Sequence, residues 1–269
     1  MNIFNAIILG IVQGLTEFLP VSSSGHLVLL QKIFGITEPA LFFGTMLHVG
    51  TLSAVIVVLW KDIWAILKRL IQPLTGYLIM ATIPAVIAAL FFGDIIDHAY
   101  ESGQFLGFSF LLTTALLITA EFLSRQNEKK LKTSKDMNLP DALIIGILQA
   151  VAILPGVSRS GATISGALSR KLDRDFAARF SFLLCIPAIL GAVVLQTRDL
   201  IAGGGAAAGE SIGAAAIIAG TLSAAITGFF AVRFMLKLIR EKSLYGFAIY
   251  TGILGVFVLI DQFITHLIF

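Results

Sequence analysis

Six stretches of this chain, residues 42–60, 74–93, 105–124, 176–196, 212–232 and 245–265, stay apolar over the roughly 20 residues a helix needs to cross a bilayer. Inside hydrocarbon every backbone polar group must be satisfied within the protein, so runs of this kind are compatible with little except membrane helices. Of 269 residues 57% are hydrophobic and 13% charged, with a mean hydropathy of +0.94. So few charges cannot keep the surface of a soluble domain this size wet. The 21 Phe suit lipid-facing surfaces, and the 25 Gly let helices approach closely. The expected fold class is an all-α polytopic membrane protein, a single membrane domain over 1–269.

Two further apolar regions, 2–35 and 139–170, are interrupted. The first breaks at Pro20-Val21-Ser22-Ser23-Ser24-Gly25, the second at Pro155-Gly156-Val157-Ser158-Arg159-Ser160-Gly161. Proline ends the preceding helix, and serine is a good N-cap for the next. The pieces after the breaks, 22–34 and 158–169, reach only about 20 Å at 1.5 Å per residue, short of a core about 30 Å thick. Both regions are therefore expected to be re-entrant helical hairpins beside the six spans.

Charge sets the expected orientation. The net charge of +3 and pI of about 9.1 come from basic residues between apolar runs, a topology signal and not a nucleic-acid footprint. The basic stretches 61–73, 125–138 and 233–243 belong in the cytoplasm. The acidic stretch 94–104 and the Gly/Ala-rich 197–211, with Arg198, Asp199 and Glu210, belong outside. Threading the spans makes the hairpins enter from opposite faces, as in an inverted-topology repeat of halves 1–130 and 137–269 joined by a cytoplasmic linker, 125–138. The halves echo each other: Gly10-Ile11-Val12-Gln13 matches Gly146-Ile147-Leu148-Gln149, and Val21 to Gly25 matches Val157 to Gly161. The offset is 136 both times (146 − 10 and 157 − 21). The Ile-Pro-Ala echo at Ile83 and Ile186 has another offset and reads as helix-kink chemistry. The lone Cys185 can form no intrachain disulfide and reads as a packing residue. The N-terminus has no basic segment or cleavage site of a signal peptide.

Where two helix N-termini meet, free N–H groups and the helix dipoles favour an anion, above all a phosphate. Ser22, Ser24, Ser158, Ser160 and Thr163 offer hydroxyls, and Gly25 and Gly161 allow close backbone approach. Arg159 offers a planar fork matching phosphate oxygens. Glu17 is a carboxylate in an apolar run and needs a partner or a task; a structural pairing with Arg159 is the plain alternative. Gln13, four residues earlier, shares its helix face, a spacing that can hold a metal ion or orient a water. His26 can act as acid, base or nucleophile. His48 has no such company and is expected to serve helix–helix hydrogen bonding.

Residues Gln13 to His26 and Pro155 to Thr163 resemble the two signatures of the undecaprenyl-diphosphate phosphatase, or bacitracin-resistance, family, and the likeness extends over the chain's whole length and layout. The resemblance implies hydrolysis of undecaprenyl diphosphate to the monophosphate carrier lipid used in cell-wall synthesis. It implies a divalent metal, Mg²⁺ or Ca²⁺, a polyprenyl diphosphate and membrane lipids as partners with no nucleic acid, and a bacterial inner-membrane location with the site facing the periplasm. Homodimer formation is compatible with it. At the first acidic position this chain has the amide Gln13, which puts Glu17 forward as the main acidic residue. Ser23, His26 and a metal-bound water all fit as nucleophile. A transporter or flippase of an anionic lipid or solute is the competing class, because inverted repeats with broken helices are a transporter layout.

Overall fold

The computed structural model describes residues 1–36, 41–126, 131–202 and 212–269, with backbone alone at 41 and 195–202. Lys129 and Lys130 of the basic stretch 125–138, and Glu210, lie outside the described residues, as do the side chains of Arg198 and Asp199. All named elements among the described residues are helical.

Helix α1, Ile3–Phe18, starts at Asn2, whose side chain accepts from the Asn5 N–H. It stops where Pro20 forces Leu19 into extended backbone, φ −74° and ψ 144°. After the turn, α2 (Ser23–Ile33) is N-capped by Ser22, whose hydroxyl accepts from the Gly25 N–H. The second interrupted region repeats the device. Helix α7 (Leu139–Val151) opens with an Asn138–Asp141 capping box, and α8 (Arg159–Ser169) is capped by Ser158, accepting from the Gly161 N–H.

The remaining helices are α3 (Leu41–Val58), α4 (Trp60–Lys68), α5 (Pro73–Ser102), α6 (Leu106–Gln126), α9 (Arg174–Ala202), α10 (Ala214–Glu241) and α11 (Tyr245–Ile260), the last continued by a π-helical turn over Asp261–Thr265. Five helices of the described residues are long and apolar enough to cross a membrane, and α3 with α4, bent by 78°, makes a sixth if counted as one span. Large apolar side chains such as Phe91, Leu90, Ile218 and Phe230 point outward, over half exposed. That is how a surface bathed in lipid looks.

Three of the charged stretches, expected as loops between spans, are largely helix instead. Residues 60–68 form α4, because Ile63 and Ile66 pack on the core and Asp62 pairs with Arg179 at 2.8 Å. The stretch 94–104 continues α5 beyond a bend at Phe92, and the helix ends only at Gly103, φ +67°. Helix α10 runs to Glu241 through most of 233–243. Charges mark where a chain leaves hydrocarbon, not where a helix stops.

Close packing brings the broken helices inward. Helix α1 lies so near α10 that a Cβ at Gly10 would collide with the Gly220 carbonyl, and one at Gly14 with Thr227 and Ala224. The main core gathers Phe18, Leu117, Phe180, Phe182, Leu184 and Cys185, all essentially inaccessible. Around residues 121–174, buried carboxylates are fully partnered. Asp141 accepts from Lys132 at 2.9 Å and Arg170 at 2.8 Å, and Glu121 from Arg174 and the Leu244 N–H, both at 3.0 Å.

Candidate active site

The two serine turns touch. Ser160 Oγ donates to the Leu19 carbonyl at 2.9 Å, and the Gly156 N–H donates to Ser24 Oγ at 3.4 Å. At Gly25, the space a Cβ would take is filled by the Phe110 ring and the Gly156 backbone. This glycine therefore serves the approach of one turn to the other. Gly156 itself sits at φ +91°, which glycine tolerates and other residues do not.

At the junction Glu17 is buried and fully engaged. One carboxylate oxygen is ion-paired with Arg159. The other accepts from Ser23 Oγ at 2.5 Å and from Gln13 Nε2 at 2.8 Å. Each turn thus supplies one half of the charge pair, and the serine hydroxyl points at the carboxylate. Ser23 is within reach of a base, as an activated nucleophile requires.

His48 makes the helix–helix hydrogen bond expected of it, but inside this polar group and not apart from it. Its Nδ1 lies 2.9 Å from Gln13 Nε2 and 3.6 Å from Glu17 Oε2. Only the packing of α3 against α1 brings it there, and no spacing along the chain reveals that. Tyr100, beyond the α5 bend, comes near Ser24 and Glu17, and Tyr250 of α11 lies 2.7 Å from His26 Nε2. Both tyrosines sit in sequence surroundings without a distinguishing pattern.

The residues of the two turns named from the sequence divide into two groups. Ser23, Ser24, His26 and Arg159 are partly exposed. Ser22, Gly25, Ser158, Ser160, Gly161 and Thr163 are buried. Ser22 and Ser158 cap helices, Ser160 joins the turns, and Thr163 faces α9, bonding Ser181 Oγ at 2.6 Å. The accessible part of the set is smaller than the set named from the sequence.

A divalent cation would find only a partial donor set. Gln13 Oε1 is buried without a hydrogen-bond partner, and the Glu17 carboxylate is adjacent. No group of three or more His, Cys, Asp or Glu able to hold a metal occurs among the described residues. With the Gln13 amide turned so that Oε1 replaces Nε2 beside Glu17, the two side chains would offer oxygen donors to a hard ion, which would still need further ligands from outside the protein.

An all-helical integral membrane protein with a buried, ion-paired polar site at the meeting of two broken helices is the class these features define. Residues 6–257 match the family described as bacitracin resistance protein BacA, and the chain belongs to that family. It is 46% identical to an undecaprenyl-diphosphatase of Carboxydothermus hydrogenoformans over 262 residues, covering 97% of this chain and 98% of that protein. To undecaprenyl-diphosphatase 4 of Bacillus thuringiensis subsp. konkukian it is 46% identical over 263 residues, 98% of each. To an undecaprenyl-diphosphatase of Halothermothrix orenii it is 41% identical over 262 residues, 97% of this chain and 98% of that one.

Proposed function

We propose that this protein is a phosphoanhydride hydrolase that cleaves undecaprenyl diphosphate to undecaprenyl phosphate and inorganic phosphate, recycling the carrier lipid for cell-wall synthesis. The observation that carries the reading is the Ser23 Oγ–Glu17 bond of 2.5 Å, with Arg159 on the other carboxylate oxygen. Family membership and the relatives' names supply the substrate class.

In the mechanism, the terminal phosphate enters beside Ser23, Ser24 and Arg159. Ser23 Oγ attacks the terminal phosphorus, its proton passes to Glu17, and the bridging P–O bond breaks to release the lipid monophosphate. Arg159 turns its fork from Glu17 to the phosphate oxygens and stabilises the charge that builds there, the largest contribution in phosphoryl transfer. With His26 as general base, water then hydrolyses the phosphoserine, and Glu17 returns its proton to the Ser23 oxygen. Gln13 and Glu17 are the residues to hold a divalent cation, Mg²⁺ or Ca²⁺, which when bound supplies Lewis-acid neutralisation of phosphate charge.

The same reading places α1–α2 and α7–α8 as re-entrant hairpins entering from opposite faces of the bacterial inner membrane. The halves are then an inverted repeat, and the site opens to the periplasm. The matching serine caps and the 136-residue offset support this layout. A transport reading uses the layout equally well but leaves the Ser23–Glu17 bond without a task.

Purified protein in detergent, given a long-chain polyprenyl diphosphate and Mg²⁺, tests the activity. The expected result is metal-dependent release of inorganic phosphate. Folded protein that releases none contradicts the hydrolase reading.

A further inference from the structure

His26 has a partner outside both turns. Its Nδ1 lies 2.6 Å from the Ser22 carbonyl oxygen. A carbonyl only accepts, so in the neutral ring the proton is on Nδ1 and the lone pair on Nε2. Ser22 holds that carbonyl in place from a strained backbone, φ +71°. Nε2 then accepts from the Tyr250 hydroxyl at 2.7 Å.

Tyr250 comes from α11, 224 positions along the chain. Its ring stacks on the imidazole, with centroids 5.7 Å apart and planes 8° from parallel. Phe110 meets the imidazole edge-on, also at 5.7 Å and at 86°. Both ring nitrogens are therefore engaged, and the plane of the ring is fixed by two aromatic neighbours. Ser23 donates to Glu17 and not to His26, so the imidazole has a place in the site separate from the serine's activation. At the 136-residue offset that aligns the two turns, Ala162 stands where His26 does, so the second turn has no imidazole to hold.

We propose that Tyr250 is a positioning residue for the hydrolysis reaction, and that its hydroxyl holds His26 in the one tautomer and ring orientation the reaction uses. This rests on the hydrolase reading above. A phenol that donates to Nε2 fixes the direction of that lone pair, while Ser22 fixes the proton on the far nitrogen. Without the hydroxyl, the imidazole keeps its stacking but loses the bond that fixes where Nε2 points.

The test is Tyr250→Phe, which removes one oxygen and retains the ring. For hydrolysis of polyprenyl diphosphate, kcat is expected to fall roughly tenfold while KM stays within about twofold, since the effect acts on a general acid–base group and not on lipid binding. The second readout is ¹⁵N NMR of protein labelled at its 4 histidines, with the His26 signals assigned by their loss in His26→Gln. The Nε2 resonance of His26 is expected to move in Tyr250→Phe while those of the other three stay. An unmoved Nε2 resonance, an unchanged kcat, or a change in KM alone overturns the proposal. Failure of the wild-type protein to release phosphate overturns the hydrolase reading instead, and the NMR result still decides whether Tyr250 holds His26.

Discussion

Arg159 and Glu17, 142 positions apart, form an ion pair that joins the first helical turn after one break to the last turn before the other. A buried pair of this kind adds little net stability over an apolar pair, but breaking it leaves a charge stranded. Because each member comes from a different half, the pair also closes the site.

Arg159→Ala is therefore expected to lower kcat at least about a hundredfold through loss of transition-state charge stabilisation. It should also destabilise the protein by about 3 kcal/mol, because Glu17 is left unpaired. The double variant Arg159→Met/Glu17→Gln should recover most of the stability and none of the turnover. Thermal unfolding in detergent with phosphate release in parallel measures both.

Gly25→Ala should lower stability by about 1–3 kcal/mol, since its Cβ meets the Phe110 ring and the Gly156 backbone. Gly76→Ala is the control, because nothing lies within 4 Å of its Cβ position. The difference between their unfolding midpoints isolates the contact between the turns.

Thr163→Val should cost about 1–2 kcal/mol by leaving Ser181 without its partner, with turnover per folded molecule nearly unchanged. Ser24→Ala, on the accessible side, should instead raise KM with little change in unfolding midpoint. Equal effects of the two on KM contradict the division between buried and accessible hydroxyls.

Removal of divalent cation with a chelator should abolish phosphate release, and readdition should restore it. Gln13→Glu adds a charged oxygen beside Glu17, so the Mg²⁺ concentration for half-maximal activity should fall several-fold, as charge count tunes affinity.

The sequence contained the parts of the site that depend on local chemistry. Pro20 and Pro155 mark the breaks, Ser22 and Ser158 are the caps, and an acidic Glu17 in an apolar run requires a partner. His48, Tyr100 and Tyr250 were not legible there. They reach the site only because α3, α5 and α11 pack around the two turns, and a single histidine or tyrosine in a span looks the same whether it faces lipid or a carboxylate. The ends of α5 and α10 were missed for a different reason. A membrane helix continues past the hydrocarbon boundary as long as its charged face finds water or, as with Arg240 and Asp175 at 2.6 Å, an opposite charge.

The central claim is that Ser23, activated by Glu17, takes the phosphate from the lipid. Rapid acid quench of a single turnover with terminally labelled polyprenyl diphosphate, followed by peptide mass spectrometry, tests it directly. Label on Ser23 that forms and decays at catalytically competent rates is expected, and none in Ser23→Ala. Label on His26, or release of all phosphate at the turnover rate with no labelled protein at any time, contradicts it.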